Sequence, residues 1–374
     1  MGPLKGFKII ELAGIGPGPF CGMLLADMGA EVIVVERASA SYTTPDVTRR
    51  NKKSIALNLK SKDGLETLLN LVEGADAIFE GYRPGVAERL GVGPEDCKKR
   101  NPKIVYGRMT GWGQDGPLSQ AAGHDINYIS LTGSLYATGR KNDKPVPPLN
   151  LVGDYGGGAM FLAVGILAGL LEAQNTGKGQ VVDAAMTDGS ALLMATFNSF
   201  HAMGIWNTQR GNNMLDGGAH FYDTYETQDG KYVSIGSIEP QFYSLLIEKA
   251  NLDPAVFSDQ HNMGKWDEFK EKLETIFKTK TQSEWCDIME GSDVCFAPVL
   301  NFLEAPSHPH NVARQTYIDV EGMTQPAPAP RFSRTPSEVK HGSKQAGVDT
   351  EAVLSDWGFP DDKIQKLKKD GAFS

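Results

Sequence analysis

The stretch from Lys8 to Glu36 constrains the fold most. Lys8–Leu12 is a short apolar run, Gly14-Ile-Gly-Pro-Gly-Pro19 a turn, Phe20–Met28 a helical pattern and Glu31–Glu36 a second apolar run. Strand, turn, helix and strand in this order make a βαβ unit, whose two strands lie parallel. The alternation continues: Ser54–Leu59, Asp76–Glu80 and Ile104–Arg108 read as strands, Gly64–Val72 and Val86–Leu90 as helices. Strands and helices in alternation build an α/β domain, a parallel sheet covered by helices on both faces. The apolar run Met160–Leu171 predicts a buried helix over Gly158–Ala173, with Asp154 at its start. A strand at Gln180–Ala184 and an apolar helix at Ser190–Met203 follow.

Composition shifts near residue 206. Arg210–Gly218 is a polar, glycine-rich linker, and Phe221–Thr227 and Lys231–Ser237 flank Gln228-Asp-Gly230, a hairpin signal. Helical patterns follow at Gln241–Ala250, Trp266–Phe277 and Gln282–Met289, with a strand at Cys295–Leu300. The expected division is a large domain over 1–205, a smaller α+β domain over 206–325, and a return segment over 326–374. The return segment ends in a helix, Thr350–Lys369, packing on the large domain.

With 37 basic and 46 acidic residues the net charge is −9, which argues against a broad nucleic-acid surface. No window of eighteen apolar residues free of polar ones is present, so no membrane span is expected. Met1–Phe7 lacks a signal-peptide pattern, the C-terminal Gly-Ala-Phe-Ser is not the common peroxisomal signal, and Cys21, Cys97, Cys286 and Cys295 are scattered. The expectation is a cytoplasmic protein with reduced thiols and no metal site. Gly14-x-Gly16-x-Gly18 departs from the G-x-G-x-x-G of dinucleotide-binding turns, so a tight turn into a helix is the better reading. Arg37, Arg49, Arg50, Lys52 and Lys53 cluster after the second strand, where α/β sheets bind ligands. The cluster reads equally as a solvated loop or as a phosphate or nucleotide pocket.

Two proton-exchanging groups, His124 and Asp154, bracket the middle of this half. Each taken alone is a satisfied polar residue or a helix cap. A carboxylate at a helix start accepts backbone N–H groups, and neighbouring N–H groups there hold a developing anion. Gly156, Gly157 and Gly158 would let a ligand approach the backbone.

Five stretches carry a resemblance: Glu80–Gly85 with Arg89–Pro94, Met109–Gln114, Ala122–Tyr128, Pro148–Asp154, and Asn213–Gly218 with Ile238–Tyr243. Together they resemble the class III CoA-transferase superfamily over nearly the whole chain, and within it the racemase branch. The resemblance implies a Rossmann-like large domain, a small domain and an interlocked homodimer whose sites combine both. It implies an acyl-CoA thioester as substrate, with coenzyme A part of the substrate and no metal or redox cofactor. Arg37 is implied at the adenosine end, Ala56, Leu57, Asn58 and Leu59 along the nucleotide, and Tyr82, Arg83 and Arg89 along the CoA channel. Gly123, Asp125, Ile126, Asn127 and Tyr128 are implied among the substrate- and CoA-binding residues, Asp125 as a structural or CoA-loop ligand rather than a third base. Both branches place an aspartate at Asp154; the histidine at His124 marks the racemases, in which Glu239 of the other subunit orients it. Racemisation at the carbon next to a thioester needs one base on each face, and a His and a carboxylate suit this near neutral pH. The enolate oxygen is expected on N–H groups near Asp154–Gly156. Met109, Met160, Leu215, Ile238 and Tyr243 are candidates for the acyl trough, and His220 stands where racemases often carry proline. The alternatives are a CoA-transferase with Asp154 as nucleophile, and a non-catalytic CoA-ester-binding protein.

Overall fold

The computed structural model describes residues 2–40 and 46–373. Met1, 41–45 and Ser374, the last residue of the C-terminal signal considered above, lie outside the described residues. The chain divides into two compact units. One holds Met1–Thr132, Leu149–Leu193 and Gln315–Ser374, the other Gly133–Pro148 and Met194–Arg314. The bounds therefore differ from those expected: 133–148 and 194–205 leave the large unit, and the return segment begins at 315.

The large unit is built on β1 (Lys8–Leu12), α1 (Pro17–Asp27), β2 (Glu31–Glu36), β3 (Lys53–Ala56), α2 (Lys62–Glu73) and β4 (Ala77–Glu80). It continues through α3 (Val86–Leu90), α4 (Pro94–Arg100), β5 (Val105–Thr110), α5 (Asp125–Ser130) and β6 (Val181–Ala185). The six strands form one sheet in the order β3-β2-β1-β4-β5-β6, every pair parallel. The period of two sorts side chains between the faces. Ile10, Leu12, Ile33, Val35 and Ile78 join a core with α2 and the C-terminal helices Thr350–Asp356 and Asp361–Lys369. Ile9, Val32, Ala77, Phe79 and Val105 join another with α1 and the long helix Met160–Thr176. Strands buried on both faces show no polar alternation, which is why β2 reads as an unbroken apolar run. Two short helices escaped the sequence reading, α4 and α5. In α4, Pro94 opens the helix, acidic residues fill the first turn and basic ones the last, a signal that was present.

Of the basic cluster, Arg37 is exposed, but the four residues between 49 and 53 are neither a solvated loop nor a free phosphate pocket. Arg49 pairs with Glu36 at 2.7 Å, Arg50 with Asp27 at 2.5 Å and Lys52 with Glu11 at 2.5 Å, all buried. Lys53 lies half-exposed between Glu31 and Asp356. The sequence reading counted the basic residues and not the glutamates at the strand ends that meet them.

The helix that carries Asp154 also differs from expectation. It begins at Leu151 with wide π-type turns over Leu151–Ala159 and continues as Met160–Thr176, so Asp154 sits inside helical backbone. The glycines explain the wide turns. A Cβ on Gly157 would lie 2.4 Å from Ser190 Oγ and one on Gly158 2.8 Å from Met186 Cγ. Both glycines press the turn against the helix Met186–Leu193; they do not open a path for a ligand. The joined stretch Leu151–Thr176 is long and apolar enough to cross a membrane by length and composition, and 50% of its most apolar window is buried in the fold.

In the small unit, β7 (Tyr222–Glu226), β8 (Tyr232–Gly236) and β9 (Phe296–Val299) form an antiparallel sheet. The helices Pro240–Lys249, Trp266–Phe277 and Gln282–Met289 supply its aromatic core. His220 is part of that core, fully buried against Phe221, Tyr243, Phe257 and Phe269. Its Nε2 lies 2.7 Å from Tyr243 Oη, and that hydroxyl donates to the Phe257 carbonyl at 3.0 Å. This chain assigns the proton to Nε2 and leaves the buried Nδ1 without a partner. Burial first, then the charges of Lys270 and His261, push the imidazole down to about 3. An unfolded histidine titrates near 6.5, so stability is full above that pH and falls as pH drops from there towards 3. The drop between pH 7 and pH 4.5 is expected to cost about 2–3 kcal/mol. Urea melts of wild type and His220→Phe should show this slope in the first and its loss in the second.

Candidate active site

A parallel sheet ordered β3-β2-β1-β4-β5-β6 reverses direction between β1 and β4. The connections leaving these two strands go opposite ways, and a crevice opens at their carboxyl ends. A cavity of about 790 Å³ lies there. Leu12 and Gly14–Gly18 line it after β1, Phe79 and Gly81–Pro84 at β4, Met109–Trp112 at β5. His124, Asn127 and Tyr128 of the α5 region and Asn150, Asp154 and Tyr155 of the wide turn complete the wall.

Asp154 is half-buried. Asn150 Nδ2 donates to its Oδ2 at 3.1 Å. A Cβ on Gly16, which has φ +67°, would stand 3.1 Å from the same oxygen, so glycine in the first turn admits the carboxylate. Burial holds this carboxyl above the usual range, Asn150 opposes, Asp125's charge adds to the rise and His124's lowers it. The backbone there is already engaged: the Asp154 N–H donates to Asp125 Oδ2 at 2.7 Å and the Tyr155 N–H to the Asn150 carbonyl at 3.3 Å. Those two N–H groups cannot hold an enolate oxygen, which corrects the expected anion site at Asp154–Gly156.

His124 is exposed to the cavity and caps α5. Its N–H donates to Asn127 Oδ1 at 3.0 Å, which pins the backbone beneath the ring. Behind it, Tyr128 Oη donates to the Gly123 carbonyl, and the Tyr128 ring meets Trp112 edge-on at 4.8 Å. Asp125 is buried and does not line the cavity.

The loop after β4 is anchored by Glu80. Its Oε2 accepts the Tyr82 N–H at 2.5 Å and its Oε1 the Arg108 Nε at 3.3 Å. Burial pushes this carboxyl up to about 7 against both donors. Tyr82 and Arg83 line the cavity, and Arg83 and Arg89 are exposed. Neither arginine, nor Arg37, has an ion-pair partner among the described residues. Ala56, Leu57, Asn58 and Leu59 lie outside this cavity, and the N–H groups of the first three go to Thr350, Glu36 and Ala372. Ile126 is exposed beside the site, while Glu239 caps a helix in the small unit. Of the proposed acyl-trough residues, Met109 lines the cavity and Tyr243 belongs to the small unit's core.

Among the described residues no group of three or more His, Cys, Asp or Glu side chains is placed to hold a metal. The sequence reading missed Asn150, Trp112 and Met186. Asn150 was the legible one, a polar side chain one helical turn before the carboxylate it contacts.

Known proteins are similar to this chain over nearly its whole length. A model of CoA-transferase family III matches residues 4–350. The alpha-methylacyl-CoA racemase of Mus musculus is 44% identical over 369 residues, 98% of this chain and 96% of that protein. That of Homo sapiens is 42% identical over 371 residues, with the same coverage of 98% and 96%. A crystal structure of a CaiB/BaiF family protein from Brucella suis shares the fold, with a TM-score of 0.82 over 95% of this chain and 99% of that one at 24% identity. With a family match that spans both units and a crevice where the fold calls for one, the chain belongs to CoA-transferase family III.

Proposed function

We propose that this protein is a racemase that interconverts the (R) and (S) hands of 2-methylacyl-CoA thioesters by two-base proton transfer. The observation that carries the reading is that His124 and Asp154, held on two separate elements, line one cavity, where inversion at a single carbon needs one base for each of its faces. The similarity to racemases along the whole chain supports it.

The thioester acidifies its α-hydrogen because the carbanion left behind delocalises onto the carbonyl oxygen. For one hand, neutral His124 takes the proton and protonated Asp154 delivers another to the opposite face. For the other hand the roles exchange. A carboxyl raised by burial suits a group that must hold a proton in half of the turnovers. The chemistry asks for no metal and no organic cofactor. The apolar side chains Leu12, Phe79, Met109, Trp112 and Met186 supply a surface for the acyl chain, and Tyr82 and Arg83 a mouth for coenzyme A. Arg37 and Arg89, together with 56–59, extend the CoA path in this reading.

Glu239 enters from a second copy in an interlocked homodimer, where it orients the His124 imidazole. The exposed apolar side chains Leu149, Leu151, Val164, Leu171 and Leu192 of the large unit support such a partner, since apolar surface in this amount gains from being covered. Sedimentation at micromolar concentration is expected to give twice the chain mass, and a monomer would remove Glu239 from the mechanism.

The decisive experiment supplies single-enantiomer 2-methylacyl-CoA in deuterated water without an acceptor acid. Wild type should incorporate deuterium at C2 and lose optical purity. His124→Ala and Asp154→Ala should each lower the rate about 10²–10⁴-fold while still binding CoA esters. No exchange, with CoA transfer once free carboxylic acids are added, would make Asp154 a nucleophile and the protein a transferase. Arg83→Gln should raise KM about tenfold with kcat little changed, and the effect should fade at high salt.

A further inference from the structure

Asp125 has no place in the proton transfers above, yet it is the most tightly held carboxylate near them. It follows His124 directly, is 7% exposed, and does not line the cavity. Its Oδ2 accepts the Asp154 N–H at 2.7 Å, and its Oδ1 is buried with no hydrogen-bond partner. The contact needs Gly153, because a Cβ there would stand 2.4 Å from Asp125 Oδ2. One carboxylate thus joins the residue next to one base to the backbone of the other.

We propose that Asp125 is a positioning residue: its carboxylate ties the Asp154 backbone to α5 and so sets the separation of the two proton-transferring side chains. Its charge also favours the protonated form of the Asp154 carboxyl. This rests on the racemase reading. The geometric part follows from the short bond and the glycine that admits it. The electrostatic part follows from an unscreened charge close to Asp154, on whose carboxyl Asp125 and His124 are the charges that bear. The other elements packed on the wide turn carry Asp27 on α1, Arg108 on β5, Asp183 on β6, and Asp188 on the helix Met186–Leu193. Asp27 is engaged by Arg50, Arg108 by Glu80 and Glu88, and Asp183 and Asp188 act on each other. Glu172 lies at the remote end of the long helix.

A carboxylate that acts as a base works only when ionised, so the acid limb of kcat, measured with the hand whose proton Asp154 removes, reports Asp154. Removing a neighbouring negative charge moves that limb to lower pH. Misplacement by about 1 Å costs on the order of 10²-fold in rate. The test follows C2 deuterium exchange in wild type, Asp125→Asn, Asp125→Ala and Gly153→Ala, each checked for an unchanged thermal midpoint and CoA-ester binding. Asp125→Ala is expected to lose about 100-fold in kcat with KM within about twofold. Asp125→Asn keeps an oxygen for the Asp154 N–H, and should recover most of the rate with its acid limb shifted to lower pH. Gly153→Ala, which changes no charge, should lower kcat and leave the limb in place. A folded Asp125→Ala that matches wild type overturns the proposal. So does an Asp125→Asn that loses as much as Asp125→Ala with its acid limb unmoved. A wild type that does not exchange at all overturns the racemase reading instead.

Discussion

The reversal of strand order between β1 and β4 is the constraint on which the large unit depends. In a sheet of parallel strands each connection must cross to one face, and where two neighbours cross to opposite faces their carboxyl ends are left uncovered. The glycine-rich turn after β1 and the Gly81–Pro84 loop after β4 are the two lips of that opening. The two candidate proton-transferring groups are brought to it from elsewhere: His124 by a short helix after β5, Asp154 by a wide helical turn before β6.

Holding those lips open requires buried charge. Glu11, Glu36 and Glu80 stand at the carboxyl ends of β1, β2 and β4, each buried and each met by a cation, Lys52, Arg49 and Arg108. A buried ion pair returns little net stability, but loss of one partner leaves an uncompensated charge that costs about 3–5 kcal/mol. The pairs therefore act as determinants of loop geometry more than as sources of stability. Glu80 shows the logic: one oxygen holds the Tyr82 N–H and the other Arg108, so the loop that carries Tyr82 and Arg83 is tied to β5. It also explains why a run of four basic residues between 49 and 53 leaves so little positive charge for a ligand.

What the sequence made legible was what local patterns encode. The strands β1 and β2 and the helices Trp266–Phe277 and Gln282–Met289 fall at their expected bounds because apolar period and flanking glycine, proline or cap residues agree there. His124 and Asp154 were legible as a pair through motif resemblance, and the structure sets both on one cavity. What stayed hidden depended on distant partners. No local signal says that Arg50 will find Asp27 or that the Asp154 N–H will find Asp125. His220 looked like a site residue by its neighbours in sequence, yet four aromatic rings from separate segments bury it.

The glycines of the wide turn carry the same lesson into chemistry. A run of glycines beside an acidic residue suggests backbone left open for a ligand. Here Gly157 and Gly158 lie against Ser190 and Met186, Gly189 lies against the Gly157 carbonyl, and Gly153 makes room for Asp125. Each glycine removes a side chain so that backbone can meet another part of the same unit. The N–H groups of Asp154 and Tyr155 are spent in doing so. The turn is then immobilised on three sides, by α1, by α5 and by the helix Met186–Leu193. The side chain of Asp154 lines the cavity from this fixed backbone, its Oδ2 beside Gly16 with Asn150 as its neutral donor. A base presented in this way loses little orientational freedom when substrate arrives, so less of the binding energy goes into ordering it.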